Sequence, residues 1–235
     1  MPASLSKELN LADMIDSTSG LALRVSHLCK SFESPAGNAI RVLHDVSFAV
    51  AAGEMVTITG ASGAGKSTLL HLLGGLEIQD SGTIHFGQRA TASNIRPSTS
   101  FVFQFHYLLP DLTAVENVAL PLMIARVRGK EAQQQASSIL KSIGLGDRLT
   151  HKIGYLSGGE QQRVAVARAL ITEPKVVLAD EPTGNLDAAI AEEIGALLAN
   201  YCRRRQAIVV IATHNDRLAQ ICDRVLLLAD GSLCE

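Results

Sequence analysis

The chain has 235 residues, 47% of them hydrophobic and 19% charged, so it can bury the core of one large α/β domain, or of one domain with a small insert. A formal net charge of -2 gives no general electrostatic reason to hold DNA, RNA or an anionic lipid surface, and partners must be met by local features. Cys29, Cys202, Cys222 and Cys234 are scattered without a Cys-x-x-Cys pair, which argues against a zinc site or a disulfide framework and fits free thiols in a reducing compartment.

The first twenty residues, MPASLSKELNLADMIDSTSG, lack an apolar core long enough for a signal peptide and carry Glu8, Asp13 and Asp16, so residues 1–20 read as a flexible tail. From Leu21 to Val50, the alternating segments LALRVSHL and IRVLHDVSFAV flank ESPAGN, whose Pro35, Gly37 and Asn38 are turn residues, and this predicts antiparallel β structure. EMVTITG is a short β-branched strand running into a glycine-rich loop, and KSTLLHLLGGL has helical spacing closed by Gly74 and Gly75. GTIHFG and TSFVFQ are further strand candidates. From Leu112 to Ile143 the pattern turns helical, with Pro121 and Gly129 as expected interruptions. After SGGEQQRVAVARALI, a predicted helix stopped by Pro174, KVVLAD fits a fully buried parallel strand. A helix from Asp187 to about Tyr201 and the strands AIVVIAT and RVLLLADG complete an alternating α/β pattern, with Arg203 to Arg205 as a solvated helix C-terminus. No apolar run approaches the roughly 18 residues of a membrane helix, so a soluble chain is expected.

GASGAGKS, Gly60 to Ser67, matches G-x-x-x-x-G-K-[ST] with a strand before it and a helix after it. Such a loop lets successive N–H groups converge on phosphate oxygens while the helix N-terminus adds positive potential. In this reading Gly60, Ala61, Ser62, Gly63, Ala64, Gly65, Lys66, Ser67 and Thr68 bind ATP, Lys66 reaches the β- and γ-phosphates, and Ser67 ligates Mg²⁺. VVLADEPTGNLD ends a buried strand in Asp180 and Glu181, at the sheet edge where ligands of open α/β sheets bind. Asp180 is expected to hold Mg²⁺ through water and Glu181 to deprotonate the attacking water. Gln104 and His214 also end strand-like runs; the first can ligate Mg²⁺ or the attacking water, the second can hydrogen-bond a γ-phosphate. A second glycine pair, in LSGGEQQR, introduces a helix far downstream although one nucleotide needs one cradle. Taken alone it is either a structural cap or a site for a nucleotide that the chain does not hold by itself.

In this order the elements resemble the nucleotide-binding subunit of ATP-binding cassette (ABC) transporters, from about Leu21 to the C-terminus. The resemblance implies a P-loop NTPase of the α/β class, with a RecA-like core, an antiparallel β subdomain and a helical subdomain inserted at about 105–156. It implies that Ser157, Gly158 and Gly159 bind the γ-phosphate of an ATP held by the opposite subunit of a head-to-tail dimer, and that Asp187 belongs to the loop communicating across that dimer. It puts Phe32 where an aromatic residue stacks on adenine, and Asn215 where aspartate is commoner, which places in doubt any salt bridge made there. It implies integral membrane subunits docked on the helical insert, with Phe105, Tyr107, Leu108, Leu109 and Leu112 divided between core and docking surface, and a peripheral location on the cytoplasmic face of a bacterial inner membrane.

Within the family, QFHYLLPDLTAVENVALPL, GASGAGKSTLLHLLGGL and LADEPTGNLD are most similar to the ATPase of the bacterial lipoprotein-releasing system. The macrolide-exporter and cell-division ATPases are the alternatives. A nucleic-acid ATPase of the chromosome-maintenance or translation-factor type is disfavoured, because neither a long coiled coil between the nucleotide motifs nor a second cassette is present. A phosphotransferase with the same loop is disfavoured by the signature.

Overall fold

The structure, a computed structural model, describes residues 22–35, 37–87, 99–184 and 186–234. The expected N-terminal tail, 1–20, lies outside the described residues. The predicted antiparallel unit is a three-stranded sheet in the order β2-β1-β4, formed by β1 (Leu23–Glu33), β2 (Ala39–Val50) and β4 (Ser81–Phe86). Its register pairs Leu23 with Val50 and Phe32 with Ile40.

The second sheet has six strands in the order β5-β6-β7-β3-β8-β9. These are β3 (Met55–Thr59), β5 (Thr99–Val102), β6 (Val176–Asp180), β7 (Ile208–Ala212), β8 (Arg224–Ala229) and β9 (Ser232–Cys234). All pairings are parallel except the β8–β9 hairpin. The central strands read as continuous apolar runs because both of their faces are covered. Val56, Ile58, Val176, Leu178, Ile208 and Val210 face one hydrophobic cluster, shared with α1 (Lys66–Leu73) and the antiparallel sheet. Their alternates Met55, Val177, Ala179, Val209 and Ile211 face a second. That second cluster is closed by α4 (Gly158–Leu170), α5 (Ala188–Arg205) and α6 (Asp216–Ile221).

A third cluster joins α2 (Ala114–Ile124) and α3 (Gly129–Ser142) to Leu145, Ile153 and Leu156. It also includes Val164, Ala167 and Ile171, so α4 packs on the sheet through Val166, Ala169 and Leu170 and on the helical cluster through a second stripe. Two expectations are corrected here. Pro121 lies inside α2 rather than interrupting it, and Gly129 is the first residue of α3. Proline removes one helical N–H, but α2 is held by buried Asn117, Val118, Ala119 and Leu122 and by a complete capping box at Thr113 and Glu116, and tertiary packing outweighs local propensity.

The predicted stop after α1 has a packing cause as well as a conformational one. Gly75 takes a left-handed φ of 67°, whereas a Cβ on Gly74 would lie 2.0 Å from Phe101 Cε2, in a ring stacked on Phe103. Gly74→Ala is therefore expected to lower unfolding stability by about 1–3 kcal/mol through overpacking, read as a shift in the denaturant midpoint at unchanged slope.

Candidate functional site

Four neighbouring parallel strands deliver their following residues to one edge of the sheet. β3 leads into the glycine loop, β5 is followed by Gln104, β6 ends on Asp180 and Glu181, and β7 is followed by Thr213 and His214. The resulting cavity of about 590 Å³ is lined by Phe32, Val42, Ser62, Gly63, Gly65, Lys66, Ser67, Thr68, Gln104, Asp180, Glu181 and His214. The sequence-predicted phosphate loop, acidic pair, glutamine, histidine and aromatic residue are thus brought together, within the size range of small-molecule sites.

The glycine loop is built as a cradle. Gly60, Gly63 and Gly65 have φ of 149°, 79° and 100°, values that side chains rarely adopt. A Cβ on Gly60 would lie 2.2 Å from the Leu228 carbonyl oxygen of β8, so the loop can follow the sheet closely only as glycine. Lys66 is buried and its ammonium donates to the carbonyls of Gly60 and Ala61, 2.9 Å each, so the loop curls around its positive charge. That cradle, opening at the N-terminus of α1, fits a nucleotide triphosphate tail. Ser67, Gln104 and Asp180 line the same cavity with hydroxyl, amide and carboxylate oxygens, a donor set that fits Mg²⁺. Phe32 is partly exposed on the rim, with the Lys30 ammonium 4.8 Å from its ring centre.

Glu181 has a left-handed φ of 45°, and three groups hold its largely buried carboxylate. His214 Nδ1 lies 2.7 Å from Oε1, Thr213 Oγ1 donates to Oε2 at 3.0 Å, and the His214 backbone N–H donates to Oε2 at 3.4 Å. Thr213, buried and central to this arrangement, was not singled out from the sequence, where a hydroxyl at the end of an apolar run reads as an ordinary strand residue. Asn215 caps α6 through Arg217 and Leu218 N–H and donates to Thr183 Oγ1 at 3.4 Å, so this position makes hydrogen bonds in place of a salt bridge.

The second glycine pair does not line this cavity. Ser157 is the N-cap of α4, accepting from Glu160 N–H while Glu160 Oε2 accepts from Ser157 N–H at 2.8 Å. The capping alternative is thus real. The two glycines differ. A Cβ on Gly159 would lie 2.4 Å from Ile190 Cδ1, whereas one on Gly158 would meet nothing nearer than 3.9 Å. Asp187, the N-cap of α5, accepts from Ile190 N–H at 3.0 Å and likewise lies outside the cavity lining. Of the expected docking residues, Phe105, Tyr107 and Leu109 are exposed, while Leu108 and Leu112 are half-buried and Leu108 packs on the third cluster.

The family model described as ABC transporter matches residues 43–184, which include the glycine loop, Gln104, the signature and the acidic pair. The chain belongs to the ABC transporter family. It is 48% identical over 217 residues to the lipoprotein-releasing system ATP-binding protein LolD of Geobacter metallireducens, covering 89% of this chain and 96% of that relative. It is 47% identical over 219 residues to the protein of the same name from Idiomarina loihiensis, covering 90% and 96%. Among solved structures, the dimeric post-hydrolysis state of the ATP-binding cassette MJ0796 bound to ADP and Pi superposes with a TM-score of 0.82 at 36% identity, over 91% of this chain and 97% of that one. A second dimeric structure of MJ0796, described as a bacterial ABC transporter cassette, gives 0.83 at the same identity and coverage. The α/β class and the ABC cassette architecture expected from the sequence are those of these structures.

The capping box at the signature is pH-dependent. The Ser157 N–H, with Arg148 beside it at 3.1 Å, holds the Glu160 carboxyl below its usual value of 4.5. A lowered carboxyl pKa stabilises the fold above the unfolded value and is lost as pH falls through the folded one. Glu160→Gln should therefore cost about 0.5–2 kcal/mol at neutral pH, in the range of helix-capping effects, and the difference in unfolding free energy from the unsubstituted chain should close as the pH falls below 4.5.

Proposed function

We propose that this ABC ATPase binds two ATP molecules at the interface of a head-to-tail dimer and uses their hydrolysis to drive membrane subunits that release lipoproteins from the bacterial inner membrane. Support for the lipoprotein branch comes from two relatives of that name, 48% and 47% identical over about nine-tenths of the chain. Support for the dimer comes from two dimeric structural neighbours and from Gly158. Its Cβ would meet no obstacle in the chain, so nothing within one subunit calls for glycine there. Close approach by a ligand does call for it.

In this reading Lys66 and the N–H groups of residues 60–68 hold the phosphates, and Phe32 stacks on adenine. Ser157, Gly158 and Gly159 complete the partner subunit's site, and Asp187 relays across the interface. Ser67, Gln104 and Asp180 would hold Mg²⁺, which supplies neutralisation of phosphate charge when bound. Glu181 takes a proton from the attacking water as the water oxygen bonds to the γ-phosphorus, and the bond to the ADP oxygen breaks. His214 orients Glu181 through Nδ1 and reaches the γ-phosphate with its other nitrogen. The helical unit, about 105–156, presents Phe105, Tyr107 and Leu109 to the membrane subunits. Among the described residues no helix is long and apolar enough to cross a membrane; in this reading the membrane subunits hold the chain peripherally on the cytoplasmic face.

Glu181→Gln is expected to lower ATP turnover by about 10²- to 10⁴-fold while ATP affinity is retained. The same variant, trapped with ATP and crosslinked in cells, should co-purify membrane subunits and acylated lipoproteins. Recovery of division-site proteins, or of no membrane protein, would sink the lipoprotein reading. A mixing experiment tests the composite site. Lys66→Ala and Gly158→Glu should each be nearly inactive alone, and a mixture should regain turnover, because mixed dimers hold one intact pair of loop and signature. No gain on mixing would place both elements in the service of the same subunit's nucleotide.

A further inference from the structure

The loop that leaves β5 carries Gln104 into the nucleotide cavity and then runs toward α2. It is held from α4. Arg168, on the third turn of α4, is half-buried, and its guanidinium spans two successive carbonyls of the loop: Nη2–H donates to His106 O at 2.7 Å and Nη1–H to Tyr107 O at 2.7 Å. Those carbonyls are its hydrogen-bond partners among the described residues, and burial lowers its pKa from the ordinary arginine value. Tyr107 has a left-handed φ of 45°, an uncommon backbone state for an aromatic residue, and the fork holds its carbonyl in that state. A second tie comes from the opposite direction, because the His106 ring Nε2 lies 3.2 Å from the carbonyl oxygen of Gly158, the first residue of α4. The loop beside Gln104 is thus fastened at two points to the helix whose N-terminus carries the signature.

We propose that Arg168 is a positioning residue for ATP hydrolysis, fixing Gln104 to α4 through the His106 and Tyr107 carbonyls so that the glutamine and the signature helix move as one body. The proposal rests on the reading of Gln104 as a residue of the hydrolytic site. The chemical argument is geometric. Two parallel N–H···O bonds from a planar guanidinium fix both position and orientation of a peptide pair, whereas a lysine ammonium at the same place keeps the charge and loses the fork. A shift of about 1 Å in a catalytic neighbour costs on the order of 100-fold in rate while leaving most binding contacts in place. ATP affinity, carried by the glycine loop and Phe32, is independent of this fork.

The test is a double-substitution cycle on the full chain, measuring kcat, KM for ATP and melting temperature for Arg168→Lys, Gln104→Ala and the pair. Arg168→Lys should lower kcat on the order of 10- to 100-fold with KM changed less than about twofold, and should have little further effect once Gln104 is alanine. Turnover at the unsubstituted level in Arg168→Lys, or effects of the two substitutions that multiply, would overturn the proposal. A parallel fall of kcat, ATP affinity and melting temperature would also overturn it, by making Arg168 a residue of the fold alone. Arg168→Gln, which lacks the two-nitrogen fork, must follow the same split between kcat and KM. Hydrolysis by the unsubstituted chain and its loss in Glu181→Gln are measured alongside. If these two fail, the ATPase reading falls; if they hold and the coupling is absent, only the role of Arg168 falls.

Discussion

The site depends on the register of three buried parallel strands. Ala212 of β7 stands opposite Asp180 of β6 on one side and Ile58 of β3 on the other. The ladder continues past the strand ends, since Glu181 N–H donates to Ala212 O at 2.8 Å and Thr213 N–H to Ile58 O at 3.1 Å. The first residue of each loop is therefore placed by the same backbone hydrogen bonds that pair the strands. A slip of one residue would exchange Leu178 for Val177 between the two hydrophobic clusters and turn every side chain at the edge away from its partner. Burial on both faces thus sets the distance between phosphate loop, acidic pair and histidine.

Strain is concentrated where the ladder ends. Glu181 departs from β geometry immediately after β6, and its left-handed backbone is tolerated because its N–H and all its carboxylate contacts are supplied by β7 and the two residues beyond. An unusual backbone state of this kind costs on the order of 1–3 kcal/mol and persists where surrounding structure over-determines it. The result is a fixed orientation, since a carboxylate pinned at both oxygens has little rotational freedom left.

What could be read from sequence follows the same physics. Gly60 and Gly65 were legible because glycine, lysine and serine at that spacing serve one geometry, and the strand ends were legible because apolar runs stopped at Asp180 and His214. Thr213 was hidden by its own neighbours, and Arg168 by sitting among charged and apolar helix residues with no local sign of two carbonyls some sixty positions earlier. Pro121 misled because helix propensity is local whereas the packing of α2 on α3 and α4 is not. The division between Gly158 and Gly159 could not be seen at all, since it depends on where Ile190 falls across an interhelical contact.

That contact gives α4 an unusual mechanical position. Val166, Ala169 and Leu170 tie it to the sheet that holds the nucleotide cavity, and Val164, Ala167 and Ile171 tie it to the helices that hold the exposed Phe105, Tyr107 and Leu109 edge. Interiors packed at crystal-like density transmit displacement rather than absorb it. A push on the helical edge must therefore either carry α4, with Ser157 and Gly158 at its tip, or shear its Val166, Ala169 and Leu170 face across the sheet. The Ile190 side chain filling the space above Gly159 limits how far such a slide can run before α4 and α5 must move together.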